Sequence, residues 1–136
     1  MIKKARILDV WKIYKFCRDR SEEQKELHDP IVLRPLWYIS YLLFGLMDCL
    51  IYLDKGKVIG SVFILNRQNK YSLGIIVDEL YQGKGIGTKL VSEILKKDYP
   101  KISLNVAKDN YSAIKLYKKF GFVLDEERIS MRRKGK

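Results

Sequence analysis

Cysteine, histidine and proline are scarce in this chain of 136 residues, which has two, one and three of them. Two cysteines are too few for a disulfide framework, and Cys17 and Cys49 lack the paired spacing of a zinc site. His28 is the one histidine, which excludes a histidine-rich centre, so no metal is expected. Both thiols are expected to be reduced and packed, which fits a cytoplasmic protein. Acids are few as well: 16 against 27 bases, a formal charge of +11. That surplus suits a polyanionic partner, whether nucleic acid, an anionic membrane or a phosphorylated cofactor. An uninterrupted apolar run long enough to span a bilayer is also missing. Leu36 to Leu53 comes nearest, but Ser40 and Asp48 interrupt it and Asp54-Lys55-Gly56-Lys57 follows as a turn. A helix from about Pro35 to Met47 and a strand from Cys49 to Leu53 divide it better, and no membrane span is expected. The basic start Met1–Arg6 leads into no apolar stretch, so it does not read as a signal peptide.

What is present is enough for a core. The chain is 47% hydrophobic and 12% aromatic, with no repeat or low-complexity linker, so a single domain over residues 1–136 is expected. Residues 1–7 read as a short strand, and Asp9 as the cap of a helix with Val10, Ile13, Tyr14 and Cys17 on one face. Residues 19–29 are acid-rich with interleaved bases, a solvated helix or loop. Two strands joined by Asp54–Lys57 follow, the second from Val58 to Leu65, and a third runs from Tyr71 to Val77. After Gln82-Gly83-Lys84-Gly85-Ile86-Gly87 comes a helix with Ile86, Leu90, Val91, Ile94 and Leu95 on one face. Ile102, Leu104 and Val106 alternate as in a strand; Ala113, Leu116, Tyr117 and Phe120 share a helical face that Gly121 ends. A last strand is expected from about Leu124 to Met131, ahead of a basic, solvated end. The order of elements describes an α/β or α+β domain with a mixed sheet.

Three glycines at alternate positions between a strand and a helix expose consecutive backbone N–H groups. With the dipole of the following helix they make a seat for an anion, and a diphosphate flanked by Lys84 and Lys89 is the natural guest. The turn is not a Walker loop, because Lys84 is followed by Gly85 rather than Ser or Thr. It is not a dinucleotide fingerprint either: counted from Gly83, the third glycine would fall on Thr88, and position 103 is Ser103 rather than an acid.

A second block lies 28 residues past Gln82: Asn110-Tyr111-Ser112-Ala113-Ile114-Lys115-Leu116-Tyr117, followed by Phe120-Gly121-Phe122. Together the two blocks resemble the GNAT superfamily of acyl-CoA-dependent N-acetyltransferases. QGKGIG is similar to that family's Gln/Arg-x-x-Gly-x-Gly/Ala signature, and the second block to its N-x-x-A-x-x-L-Y-x-x-x-G-F helix. The order of elements agrees over essentially the whole chain. The resemblance implies a largely antiparallel mixed sheet flanked by helices, with central strands that splay. It implies transfer of an acetyl group from acetyl-CoA to a primary amine by direct attack in a ternary complex.

The same resemblance implies roles. Gln82, Gly83, Lys84, Gly85, Ile86 and Gly87, with Thr88, would grip the pyrophosphate of coenzyme A. Ile75, Ile76 and Val77 would border the pantetheine arm, and the Ile75 N–H would face the thioester oxygen. Asn110 would hold pantetheine; as an ordinary residue it is a helix cap. Tyr117 matches the general acid that protonates the departing thiolate; without the motif it reads as a core aromatic. The general base stays open. Asn105 stands where related N-terminal acetyltransferases carry a glutamate, so a water that it holds, Asp78 or Glu79 are the alternatives. The acceptor would lie between residues 19–47 and 122–131. Only 14 residues follow Phe122, so that side would be open or completed by another subunit; a homodimer through the apolar surface at Trp37–Phe44 is one arrangement. Two rival readings are a basic nucleic-acid-binding domain, for which no specific signature is present, and an acyl-CoA sensor that binds without turnover.

Overall fold

The computed structural model describes residues 1–19, 35–126, 131 and 133–135. Its elements are β1 (Ile2–Lys4), a one-turn 3₁₀ helix (Ile7–Asp9), α1 (Val10–Arg18), α2 (Pro35–Leu43), β2 (Met47–Asp54), β3 (Lys57–Arg67) and β4 (Lys70–Val77). A second one-turn 3₁₀ helix (Glu79–Tyr81), α3 (Ile86–Ile94), β5 (Ile102–Ser103) and α4 (Tyr111–Lys119) follow. The five strands form one sheet in sequence order. Neighbours β1 to β4 run antiparallel, and β5 joins β4 in parallel. A parallel neighbour needs a crossover, which α3 supplies. The fold is therefore mixed α/β with a largely antiparallel sheet flanked by helices, as expected.

Both hairpins close on two residues with positive φ, Lys55 and Gly56 in the first, Gln68 and Asn69 in the second. Such turns twist in the same sense as the strands they join, which fixes the register of β2 on β3 and of β3 on β4. Ile59 is an extra residue on β3, lying between the pairs Tyr52↔Gly60 and Leu53↔Val58. Its carbonyl accepts from the Asp78 N–H at 2.8 Å, so this bulge ties down the far end of β4.

Strand alternation then sorts the core onto two faces. Cys49, Ile51, Val58, Phe63 and Leu65 pack with Val10, Ile13, Phe16 and Cys17 of α1 and with Ile39, Tyr41 and Leu42 of α2. Ile59, Val62, Ile64 and Leu73 pack with Ile86, Leu90 and Ile94 of α3 and with Tyr117 of α4. Cys17 and Cys49 lie buried in the first of these clusters.

Several boundaries differ from the sequence reading. The apolar helix stops at Leu43, because Gly45 turns the chain at φ +66° and Met47 already begins β2. Phe16 is buried on the inner face of α1, whereas Tyr14 is only half-buried. Asp9 makes no side-chain cap on α1. Its carboxylate instead accepts from the Arg6 N–H at 2.9 Å and from Lys3 Nζ at 2.8 Å, closing the 3₁₀ turn ahead of the helix. Burial opposes its charge, but those partners and Lys12 outweigh it and hold the carboxyl below the usual range. Leu104 and Val106 lie outside any strand, as do residues 123–126 where the final strand was expected to start. The remainder of that strand (127–130) and most of the acid-rich segment (20–29) lie outside the described residues. Among the described residues no helix is long and apolar enough to cross a membrane.

Candidate functional site

The sheet opens between β4 and β5. They pair only at Tyr71↔Ile102 and Ser72↔Ser103, after which residues 104–106 leave the ladder while β4 continues to Val77. Which residues face the opening follows from alternation. The Asp78 N–H bonds to Ile59 on the β3 side, whereas the carbonyls of Tyr71 and Val77 accept from Ser103 Oγ (3.4 Å) and Gln82 Nε2 (3.3 Å) on the other side. Odd-numbered residues of β4 therefore turn their main-chain groups to the open edge, and Ile75 and Val77 are among them. Ile76 is placed differently. Its main chain faces β3, where it registers with Ser61, and its side chain is buried in the other core cluster. It has no main-chain group at the edge, and the period of two was the signal that separates it from Ile75 and Val77.

The glycine turn sits at the end of this edge. Gly83 and Gly85 have φ of +76° and +78°, and a Cβ on either would meet nothing within 4 Å. These two glycines are required for backbone conformation, and the space above them is open. Gly87 serves packing instead, since its Cβ position lies 3.3 Å from Leu116 Cδ2 and 3.6 Å from Ile75 Cδ1. Gly85 is the N-cap of α3, and its carbonyl takes the first helical bond, from the Lys89 N–H at 3.0 Å. The N–H groups of Ile86, Gly87 and Thr88 precede that bond and have no main-chain acceptor within the helix. Lys84 and Lys89 are exposed beside them. Unpaired helix-start donors, the helix dipole and two exposed lysines thus occur together at the start of α3.

On the other side of Gly87, α4 presents Tyr117. Gly121 ends the helix in the left-handed region, and the Phe122 N–H folds back to the Tyr117 carbonyl at 3.2 Å. That return sets the Phe122 ring edge-on to Tyr117 with centroids 5.8 Å apart. It is the physical content of the Tyr-x-x-x-Gly-Phe spacing. Tyr117 is 7% exposed, and burial pushes its phenol up to about 12. Among the described residues its hydroxyl has no hydrogen-bond partner. Asn110 caps α4, its Oδ1 accepting from the Ala113 N–H and from Ser112 Oγ, each at 3.3 Å. Capping engages the carbonyl end of that side chain, so its amide NH₂ is the end available to a ligand.

The three base candidates separate by environment. Asp78 is buried, 4% exposed, and its Oδ1 accepts from the Leu80 N–H at 3.0 Å. Glu79 and Asn105 are exposed. The parts of the expected acceptor region at 20–34 and 127–130 lie outside the described residues. A cavity of about 230 Å³ occurs at the opposite end of the sheet, lined among others by Asp48, Asn66, Tyr71, Lys97 and Tyr99. There Asp48 accepts from Lys97 Nζ and the Tyr99 hydroxyl. Burial opposes its ionisation, but those bonds prevail and hold it below the usual carboxylate range. None of these residues borders the glycine turn.

Residues 7–122 match the model of the Acetyltransferase (GNAT) family. Over 56 residues the chain is 36% identical to a spermine/spermidine N(1)-acetyltransferase of Bacillus subtilis (strain 168). That match covers 38% of this chain and 37% of the relative, so the chain spans little more than a third of that protein's length. In fold it is similar to an acetyltransferase of the GNAT family from Streptococcus pneumoniae, with a TM-score of 0.74 and 21% identity over 92% of this chain and 85% of that one. It is also similar to the PaiA N-acetyltransferase of Thermoplasma acidophilum in complex with coenzyme A, with a TM-score of 0.71 and 20% identity over 93% and 91% of the two chains. At such identities these structures speak for the fold, while the family match spans both motifs and the open sheet between them. The chain belongs to the GNAT acetyltransferase family.

Proposed function

We propose that this protein transfers an acetyl group from acetyl-CoA to a primary amine by direct attack in a ternary complex. The observation that carries the reading is the meeting of an open β4 edge with two left-handed glycines at the start of α3. The fit to coenzyme A is chemical: N–H groups with no acceptor in the helix and two exposed lysines suit a diphosphate, and a strand edge suits an amide-bearing arm. Gln82 to Thr88 hold the diphosphate, and the main chain of Ile75 and Val77 bonds the arm, with the Asn110 amide beside it. When bound, acetyl-CoA supplies the acyl group; a C–N bond to the amine forms and the C–S bond breaks.

The Ile75 N–H stabilises the charge that develops on the carbonyl oxygen. Tyr117 gives its proton to the departing sulfur, and its raised pKa keeps it protonated throughout the neutral range. The proton of the attacking amine leaves by Glu79 or by a water on Asn105, because Asp78 is buried and capping Leu80. The name of the Bacillus subtilis relative makes spermidine and spermine the first acceptors to try.

Calorimetric titration of acetyl-CoA into the protein tests the reading, with Gly85→Glu as control. Binding in the micromolar range that the carboxylate abolishes is the expected result, followed by thiol release with an amine. A folded wild-type protein that binds no acetyl-CoA overturns it.

A further inference from the structure

The first part of the turn is open: Cβ positions at Gly83 and Gly85 would meet nothing within 4 Å. Glycine also has access to both signs of φ, so this segment does not hold one conformation through its own side chains. Its shape depends on what fixes its ends. One end is α3. At the other, the chain between β4 and the turn is bonded repeatedly to itself. Asp78 Oδ1 accepts from the Leu80 N–H, the Tyr81 N–H reaches the Asp78 carbonyl at 2.8 Å, and Gln82 Nε2 reaches the Val77 carbonyl.

One further bond leaves this segment altogether. The Tyr81 hydroxyl donates to Asp54 Oδ2 at 2.9 Å, across 27 residues of sequence. Asp54 is a firm anchor. It pairs with Lys57 at the tip of the β2–β3 hairpin, and the adjacent Leu53 N–H and carbonyl are both bonded to Met1, at 2.8 and 2.9 Å. The same tyrosine ring lies under Lys84, whose Nζ is 5.3 Å from the ring centroid. Fixing the hydroxyl therefore fixes the ring, and with it the face on which the Lys84 ammonium rests.

We propose that Asp54 and Tyr81 are positioning residues that latch the glycine turn to the β2–β3 hairpin and hold its N–H groups and Lys84 ready for the diphosphate. The latch rests on the coenzyme reading of the turn. Neither residue touches the reacting atoms, so the effect falls on coenzyme binding and on the order of the turn. Tyr81→Phe removes the hydroxyl and keeps the ring. It should raise the Kd for coenzyme A about three- to tenfold, the range of one hydrogen bond. Asp54→Ala should match it, the double variant should be no worse than either alone, and Asp54→Asn, which keeps an acceptor, should restore much of the loss. Tyr81→Ala also removes the platform under Lys84 and should cost about a further two- to fivefold.

Amide hydrogen exchange in the free protein reads the latch directly. Amides of residues 82–88 should exchange faster in Tyr81→Phe, while those of Leu90 and Val91 stay protected and the melting temperature holds. Wild-type binding of coenzyme A with unchanged Kd and unchanged exchange in Tyr81→Phe overturns the latch alone. Absence of coenzyme binding in the folded wild type overturns the reading beneath it, and the latch with it.

Discussion

Three glycines in one turn should not answer alike to alanine. At Gly85 a methyl group has all the room it needs, since nothing lies within 4 Å of its position, but φ is +78°. An L-residue there costs about 1–2 kcal/mol in the left-handed region. For a chain of this length that is a fall of about 3–7 °C in melting temperature. At Gly87 the balance reverses. It is a first-turn residue of α3 with an ordinary helical φ, where alanine gains up to about 1 kcal/mol over glycine. Against this stands the 3.3 Å approach to Leu116 Cδ2, the end of a half-buried and flexible side chain that must yield by a few tenths of an ångström. The two terms leave Gly87→Ala within about 0.5 kcal/mol of wild type. Coenzyme affinity should follow the same division. Gly85→Ala misdirects N–H groups that face a charged ligand, a loss of about tenfold or more, and Gly87→Ala leaves them in place. Thermal unfolding by circular dichroism and titration with coenzyme A measure both quantities. Equal destabilisation by the two alanines, or a Gly85→Ala protein that melts and binds as wild type, would refute the assignment of separate causes.

Tyr117→Phe should lower kcat about 10²-fold while coenzyme affinity stays within about twofold. Its melting temperature should hold or rise, because the lost hydroxyl is buried without a described partner; an unchanged rate ends its role as acid. The same phenol predicts alkaline behaviour. Folded Tyr117 keeps its proton to about pH 12, while an unfolded tyrosine loses it near pH 10, so its contribution is constant below about 10 and stability falls as pH rises through that window. Urea midpoints should show a shallower fall in Tyr117→Phe, and identical slopes contradict the shift. Gly74→Ala should destabilise by about 1–3 kcal/mol, because its Cβ would run into the Phe63 ring inside the core. Added to Phe63→Leu it should cost far less than the sum of the single changes, and strict additivity in urea unfolding rules out the clash.

Much of this protein was legible in short stretches of chain. The apolar period of 3.6 marked Ile86, Leu90, Val91 and Ile94 as one face of α3, and all four are buried. Lys55-Gly56 marked a hairpin, and the two motif blocks identified a family that the comparisons support. Each of these signals is local, because helical period, turn φ and capping depend on residues within about one or two turns of one another.

What escaped depends on partners far apart in the chain. That β5 keeps only two paired residues follows from where residues 104–106 go, and no alternation within Ile102, Leu104 and Val106 contains that information. The bond that holds the Asp78 N–H comes from the Ile59 bulge on another strand, and the Phe63 ring over Gly74 from the register of β3 on β4. Asp54 and Tyr81 are ordinary residues of a hairpin and a connection until the fold brings them to 2.9 Å. Local chemistry thus specified the elements, the turn and the family. Pairing across the sheet decided which main-chain groups face the gap and what holds the turn, because strand register is a contract between segments that neither one carries alone.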